Sequence, residues 1–199
     1  MNLKMCLWAA ILCFFPTFAI WAGTVNLPQT AQSSCWDAGG NSIACKGTRQ
    51  DGDIRAGLAW PNSRFTDNGD NTLTDALTGL MWTKNAGTPT VGSCTGGSML
   101  WQSALNYVVC LNNASYLGYT DWRLPNVVEL QSLVNYNEPD PATWLNSHGY
   151  TNVMSAWYWS STTYVYYTDY AWFVHMYYGS VLYGYMYNYY NYVWPVRAG

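Results

Sequence analysis

The 199-residue chain carries eight basic and eleven acidic residues, a formal net charge of −3, and 18 % aromatic residues, including twelve Trp and eighteen Tyr. That length suits about one domain of ordinary size with a real core. Its Lys and Arg residues are scattered singly, which argues against nucleic acid as a partner, because phosphate binding draws on clustered cations.

Residues 1–22 place Lys4 ahead of an apolar stretch and end in Ala19-Ile20-Trp21-Ala22, the layout of a secretory signal peptide. Export to the periplasm, the cell surface or the medium is expected, with cleavage after Ala22. Pro16 interrupts the apolar run, which falls short of the roughly 20 residues a membrane span needs; no membrane span is expected in the mature chain. Cys35, Cys45, Cys94 and Cys110 remain after cleavage, an even number suited to an oxidising compartment. Their spacings suggest Cys35–Cys45 and Cys94–Cys110 bridges, although four cysteines permit three pairings. Neither gap has zinc-ligand spacing, and no metal or cofactor is expected.

Residues 23–62 read as a loop-rich segment stapled by the first cysteine pair, and residues 63–199 as the main domain. Phe65 and Thr66 run into Asp67-Asn68-Gly69-Asp70-Asn71, with Thr72 to Asp75 alternating beyond, a hairpin signal. Leu80-Met81-Trp82-Thr83 reads as the next strand. Trp101, Ala104, Leu105, Val108 and Leu111 recur at helical spacing. Asn126 followed by Glu129 reads as a helix cap and its reciprocal partner, with Val127, Leu130, Leu133 and Val134 on the buried face. Glu138-Pro139-Asp140 is expected to be a loop, and Gly96-Gly97 a flexible link. Short strands are expected at residues 171–176, 181–183 and 193–196.

Beyond Glu138 the chain contains no Lys, Glu or Gln, and its formal charges are Asp140, Asp169 and Arg197. Thirteen of the eighteen tyrosines lie between Tyr158 and Tyr192. So many phenols cannot all be buried with their hydroxyls satisfied. Tyrosine offers a large, stiff contact area with a polar tip, and Asn adds adaptable hydrogen bonds, the chemistry of recognition surfaces. An aromatic-rich core or a self-association face is the alternative. Asp67, Asp70 and Asp75 lack the spacing of a calcium loop. His148 and His175 have no partner at a catalytic spacing.

Several motifs carry a resemblance. Phe65-Thr66-Asp67-Asn68-Gly69-Asp70, Leu77-Thr78-Gly79-Leu80-Met81-Trp82, Trp101-Gln102-Ser103-Ala104-Leu105, Thr120-Asp121-Trp122-Arg123-Leu124-Pro125-Asn126, Tyr158-Trp159-Ser160-Ser161-Thr162 and Pro195-Val196-Arg197 resemble the Lcl C-terminal domain family, DUF1566. The resemblance covers about residues 60–199. It implies an α+β, C-type-lectin-like fold, with two helices, small antiparallel sheets and long loops that carry the binding surface. Family adhesins bind sulfated sugars, which the acidic balance fits poorly.

The tail also resembles the variable proteins of diversity-generating retroelements, in which adenine-directed mutation turns Asn codons into codons for Tyr, Asn, Asp, Ser, His and Val. That resemblance implies contact positions at Tyr166, Tyr167, Asp169, Tyr170, Phe173, His175, Tyr177, Tyr178, Tyr183, Tyr185, Tyr187, Asn188, Tyr189 and Tyr190. Ala171, Trp172, Gly179, Pro195 and Arg197 would be scaffold, as would Trp122, Arg123 and Trp159, with the arginines satisfying buried carbonyls or carboxylates. Met176, Met186 and Trp194 depart from the codon rule. The expected partner is a protein or glycan on another cell, phage or host surface, with a homo-oligomer possible. Residues 122–126 with Glu129 are also similar to formylglycine-generating enzymes, but no cysteine follows Cys110 to serve as nucleophile, and a non-enzymatic role is expected.

Overall fold

A computed structural model describes residues 27–199. The expected leader lies outside these described residues. The chain is α+β. A two-stranded hairpin, β1 (Cys35–Trp36) with β2 (Ser42–Ile43), and a short helix α1 (Asp51–Ile54) open it. Next come β3 (Phe65–Asp67), β4 (Thr72–Asp75) and β5 (Leu80–Thr83), then helices α2 (Trp101–Asn113), α3 (Val127–Gln131) and α4 (Pro141–Ser147). Three strands follow, β6 (Trp157–Thr163), β7 (Tyr170–His175) and β8 (Val181–Tyr185), and β9 (Val196–Ala198) closes the chain. No helix among the described residues is long and apolar enough to cross a membrane.

Two antiparallel sheets organise the domain, one in the order β3-β4-β5-β9 and the other β6-β7-β8. β9 returns to pair with β5, with Val196 opposite Trp82, so the segment that begins the main domain and the segment that ends it share one sheet. The β3–β4 hairpin forms where the Asn-Gly turn signal places it, with Gly69 and Asn71 at positive φ. Each of its three carboxylates has a protein partner: Asp67 accepts from Lys84 Nζ at 2.6 Å, Asp70 from the Tyr119 hydroxyl at 2.9 Å, and Asp75 from Arg64 Nε at 2.9 Å. Both expected disulfides, Cys35–Cys45 and Cys94–Cys110, are present.

The sequence-predicted helices are in place. Asn126 accepts from the Glu129 N–H while the Glu129 carboxylate accepts from the Asn126 N–H, closing the capping box. α3 stops at Gln131, and the buried Leu133 and Val134 of its expected face lie on the turn that follows. Residues 138–140 are more than a loop: Asp140 accepts from the Ala142 and Thr143 N–H groups and caps α4, with Pro141 in its first turn, a standard start signal. Gly96-Gly97 is not a free link. A Cβ on Gly96 would come 2.2 Å from the Thr88 carbonyl oxygen, so only glycine fits that approach. The last strand falls at 196–198, not 193–196, because Val193 and Trp194 are buried with Val193 N–H bonded to the Thr88 hydroxyl.

The strongest electrostatic contact is one the sequence did not announce. Arg64 and Asp75 are both buried, and a fork of two hydrogen bonds at 2.9 and 2.8 Å joins them. Arg64 also donates to the Ser132 carbonyl at 2.8 Å, and its guanidinium lies 4.1 Å from the centre of the Trp60 ring. Asp75 accepts from the Leu77 N–H and the Thr78 hydroxyl. The arginines singled out from sequence sit nearer the surface: Arg123 grips Glu129 with two 2.7 Å bonds, and Arg197 holds Asp121 at 2.7 Å. Removing one member of a buried pair strands the other charge, so Asp75→Ala is expected to lower the unfolding free energy by about 3–5 kcal/mol in urea titrations. A loss below about 1 kcal/mol, the surface-pair range, would contradict this burial.

Candidate functional site: an exposed aromatic face

β7 decides where the aromatic residues go. It pairs with β8 so that Tyr170 lies opposite Tyr185, Trp172 opposite Tyr183, and Val174 opposite Val181, all on one face. Ala171 opposite Gly184 and Phe173 opposite Leu182 occupy the other. On the first face, Val174 joins the core that holds Tyr158, Leu130, Leu133 and Trp194. That core ends before Trp172 and Tyr170, which continue the same row toward solvent.

Eight rings meet on this open end. Tyr164 lies over Tyr183, with centroids 4.3 Å apart and planes 20° from parallel. Trp172 meets both edge-on, at 5.4 and 5.2 Å. Tyr170 packs against Tyr185 at 4.1 Å and Tyr167 at 5.3 Å, Tyr166 stands edge-on to Tyr167 at 4.8 Å, and Tyr187 extends the row from Tyr185 at 5.1 Å. Tyr166 and Tyr187 are 75 % and 65 % exposed. Such pairs contribute about 0.5–1.5 kcal/mol each beyond area burial. They hold the rings in one arrangement, so that a molecule docking on them would meet a lower ordering cost.

The remaining expected positions fall elsewhere. Phe173 is 3 % exposed and packs among Trp157, Trp159 and Tyr189 with centroids 4.8 to 5.7 Å away; it belongs to the core and not to a contact surface, because its place in β7 shares the inward parity of Ala171. His175 is half-buried, edge-on to Trp157 at 4.5 Å, and its Nδ1 accepts from the Tyr177 N–H at 3.0 Å. Burial lowers its pKa, so it is neutral at pH 7 and packs as an aromatic. Tyr177, Tyr178 and Tyr189 are exposed on this second side, where Tyr189 lies over Gly184: a Cβ there would sit 2.7 Å from the ring. Asn188 and Tyr190 are exposed in the turn after β8, and Asp169 is exposed beside Tyr170.

Sequence reasoning missed two members of the network, Tyr164 and Trp172. The signal was available in the period-two alternation, which sets Trp172 on the same face as Tyr170. The stretch that supplies the face contributes no Lys or Arg, since none occurs between Arg123 and Arg197. Three of the face's phenols resist ionisation: Tyr170 is raised by its contact with the Tyr185 hydroxyl, and Tyr164 and Tyr187 chiefly by desolvation. A separate cleft of about 430 Å³ beside the Cys94–Cys110 bridge is lined by Ser98, Met99, Asn106 and Tyr107 and shares no residue with the face.

The fold and this surface define an α+β domain that displays a preassembled aromatic face. The chain belongs to the Lcl C-terminal domain family, whose model matches residues 71–197. No curated protein matches it.

Because these phenols are raised by neighbours that the unfolded chain lacks, ultraviolet titration at 295 nm is expected to show a class of tyrosines ionising above the free-phenol value of about 10. Tyr170→Phe is expected to remove part of that class. Because burial raises the core residues Tyr107, Tyr150 and Tyr158 as well, the face is read from the difference: a high-ionising class of the same size in Tyr170→Phe would contradict the packed face.

Proposed function

We propose that this protein is an exported binding protein, not an enzyme, and that the ring network of Tyr164, Tyr166, Tyr167, Tyr170, Trp172, Tyr183, Tyr185 and Tyr187 recognises a molecule on another cell, phage or host surface. The observation that carries this reading is the placement of the rings: they are ordered by contact with one another yet lie outside both cores. Stiff phenols with free polar tips supply contact area at low entropic cost. The face sets its phenols beside one carboxylate, Asp169, with no histidine, cysteine or second carboxylate among its rings to complete an acid–base or nucleophile pair. All four described cysteines are engaged in disulfides, which leaves the thiol chemistry of formylglycine-generating enzymes without a free nucleophile among the described residues.

In this reading the scaffold is C-type-lectin-like and the tail is a diversified surface. The burial pattern supports it: of the residues that depart from the adenine-mutation codon rule, Met176 and Trp194 are fully buried and Met186 is partly buried against the core, and Ala171 is buried, whereas Tyr166, Tyr178, Tyr187 and Tyr190 are exposed. The gene is therefore expected to lie near a reverse transcriptase and a near-copy of its 3′ coding region that differs at adenines. Absence of both would remove the diversification half of the proposal and leave the binding half standing. The lack of cations in the stretch that supplies the face favours an uncharged or basic ligand over a sulfated sugar.

The binding half is tested by applying labelled protein to whole bacterial cells and to a glycan array. Contact tyrosines at the centre of an interface contribute on the order of 1–2 kcal/mol or more each. Tyr170→Ser with Tyr185→Ser is therefore expected to weaken binding at least about tenfold, and Val109→Ser, on the exposed side of α2, to leave it unchanged. Equal binding by all three proteins would place recognition on another surface.

A further inference from the structure

The two large sheets have four outer edges, and three of them are closed or guarded. β9 exchanges backbone bonds with Arg123 at 2.9 and 3.0 Å. Along β6, the Trp159 N–H donates to the Tyr192 carbonyl at 3.0 Å, and the Trp157 carbonyl accepts from the Tyr192 N–H at 2.9 Å. β3 is three residues long and carries Asp67 in its ion pair with Lys84, the kind of charge that blunts an edge. β8, with the sequence Val-Leu-Tyr-Gly-Tyr, has no charge, no proline and no second strand.

The phase of the β7–β8 ladder shows which of its groups are free. The His175 N–H donates to the Ser180 carbonyl, and the Met186 N–H to the Asp169 carbonyl, at its two ends. Bonded pairs recur at every second residue of an antiparallel ladder. Leu182 and Gly184 therefore turn their backbone groups toward β7, and Val181, Tyr183 and Tyr185 turn theirs outward. The Tyr185 carbonyl accepts two turn bonds, from the Asn188 and Tyr189 N–H groups at 3.3 Å; the outward groups of Val181 and Tyr183 have no partner among the described residues. Leu182 is half exposed beside them.

We propose that β8 is where two copies of this chain pair, antiparallel about a two-fold axis through Tyr183, to build one six-stranded sheet. The free outward groups are self-complementary in that register: each Tyr183 N–H donates to the Tyr183 carbonyl of the other copy, and each Tyr185 N–H to the Val181 carbonyl of the other copy, while the Tyr185 carbonyl keeps its turn bonds. Leu182 then lies opposite Gly184 of the second copy, against the Tyr189 ring that covers it. No formal charge meets another, because β8 has none. The β6 edges at both ends of the joined sheet are already bonded to Tyr192, so the assembly closes at two. The pairing also joins the two aromatic faces on one side of the sheet, which makes any ligand contact bivalent. It goes beyond the recognition reading and does not require it.

Light scattering of the disulfide-intact chain tests this across a range of concentrations. A pair of five-residue strands is a small contact, so the mass is expected to rise from one chain to two with concentration. Leu182→Lys and Leu182→Glu, which set a charge in the contact at a half-exposed position, are each expected to hold the mass at one chain with unchanged melting. Paired Cα atoms about 5.5 Å apart suit a disulfide, so Tyr183→Cys is expected to crosslink two chains on mild oxidation and Tyr187→Cys not to. A chain that stays monomeric throughout, with no Tyr183→Cys crosslink, would overturn the proposal. So would a dimer that both edge variants leave intact, or a β8 edge that pairs only with an added extended peptide.

Discussion

The aromatic face depends on β7 being held from both sides. Val174 fixes one face of the strand into the core with Tyr158 and Trp194, and Ala171 and Phe173 fix the other into the core with Trp159 and Leu111. Truncating a phenylalanine so placed costs about 3–5 kcal/mol, a large part of a typical domain's net stability. With the strand clamped, period-two geometry leaves Tyr170 and Trp172 no choice of side. Tyr183 and Tyr185 follow by register, and Tyr164 and Tyr167 close over them from the loop between β6 and β7.

That clamp is itself secured at a distance. β9 seals β5 and buries Val196, while Trp194 Nε1–H donates to the Thr83 carbonyl at 2.9 Å. Arg64 and Asp75 lock the opposite side of the same sheet to the turn after α3. The Cys94–Cys110 bridge ties α2 to the loop before it, and α2 contributes Ala104, Val108 and Leu111 to the core under Phe173. Residues 27–60 do not form a separate body: the Tyr136 N–H donates to the Thr30 carbonyl, Asn137 accepts from Ser33, and Trp60 packs on Trp144 at 5.6 Å. The burden of stability sits in these contacts, and the surface rings are free to serve another purpose.

Local signals were legible from sequence. The capping box at Asn126 and Glu129, the Asn-Gly hairpin and the apolar stripe of α2 each follow from a few adjacent residues, and both disulfides fell among the spacings that close pairs suggest. Failures came where a competing reading or a long reach intervened. Glu138-Pro139-Asp140 reads as a loop because its proline and charges dominate the stretch, although Asp140 and Pro141 form the cap and first-turn proline that start α4. Phe173 sits within a run of tyrosines and was grouped with them, although its parity with Ala171 marks it as inward. Arg64 meets Asp75 only once the hairpin folds, and β9 meets β5 across more than a hundred residues of chain, so neither contact has a local signature. Of the face itself, the sequence revealed the material and not the arrangement: it could not separate the network around Tyr183 from the second side around His175 and Tyr178.

A surface so rich in neutral aromatics and so poor in charge is unusual on a protein unless it meets something. Its rings are already packed together, which reconciles exposure with order. Hydroxyl-radical footprinting read by mass spectrometry tests the arrangement most directly. Tyr166, Tyr178, Tyr187 and Tyr190 are expected to oxidise quickly in the native protein while Tyr150, Tyr158 and Phe173 stay protected until it unfolds. Protection of the first group in the monomeric chain, or rapid oxidation of the second, would mean that the tyrosines of the tail are not displayed on the frame described.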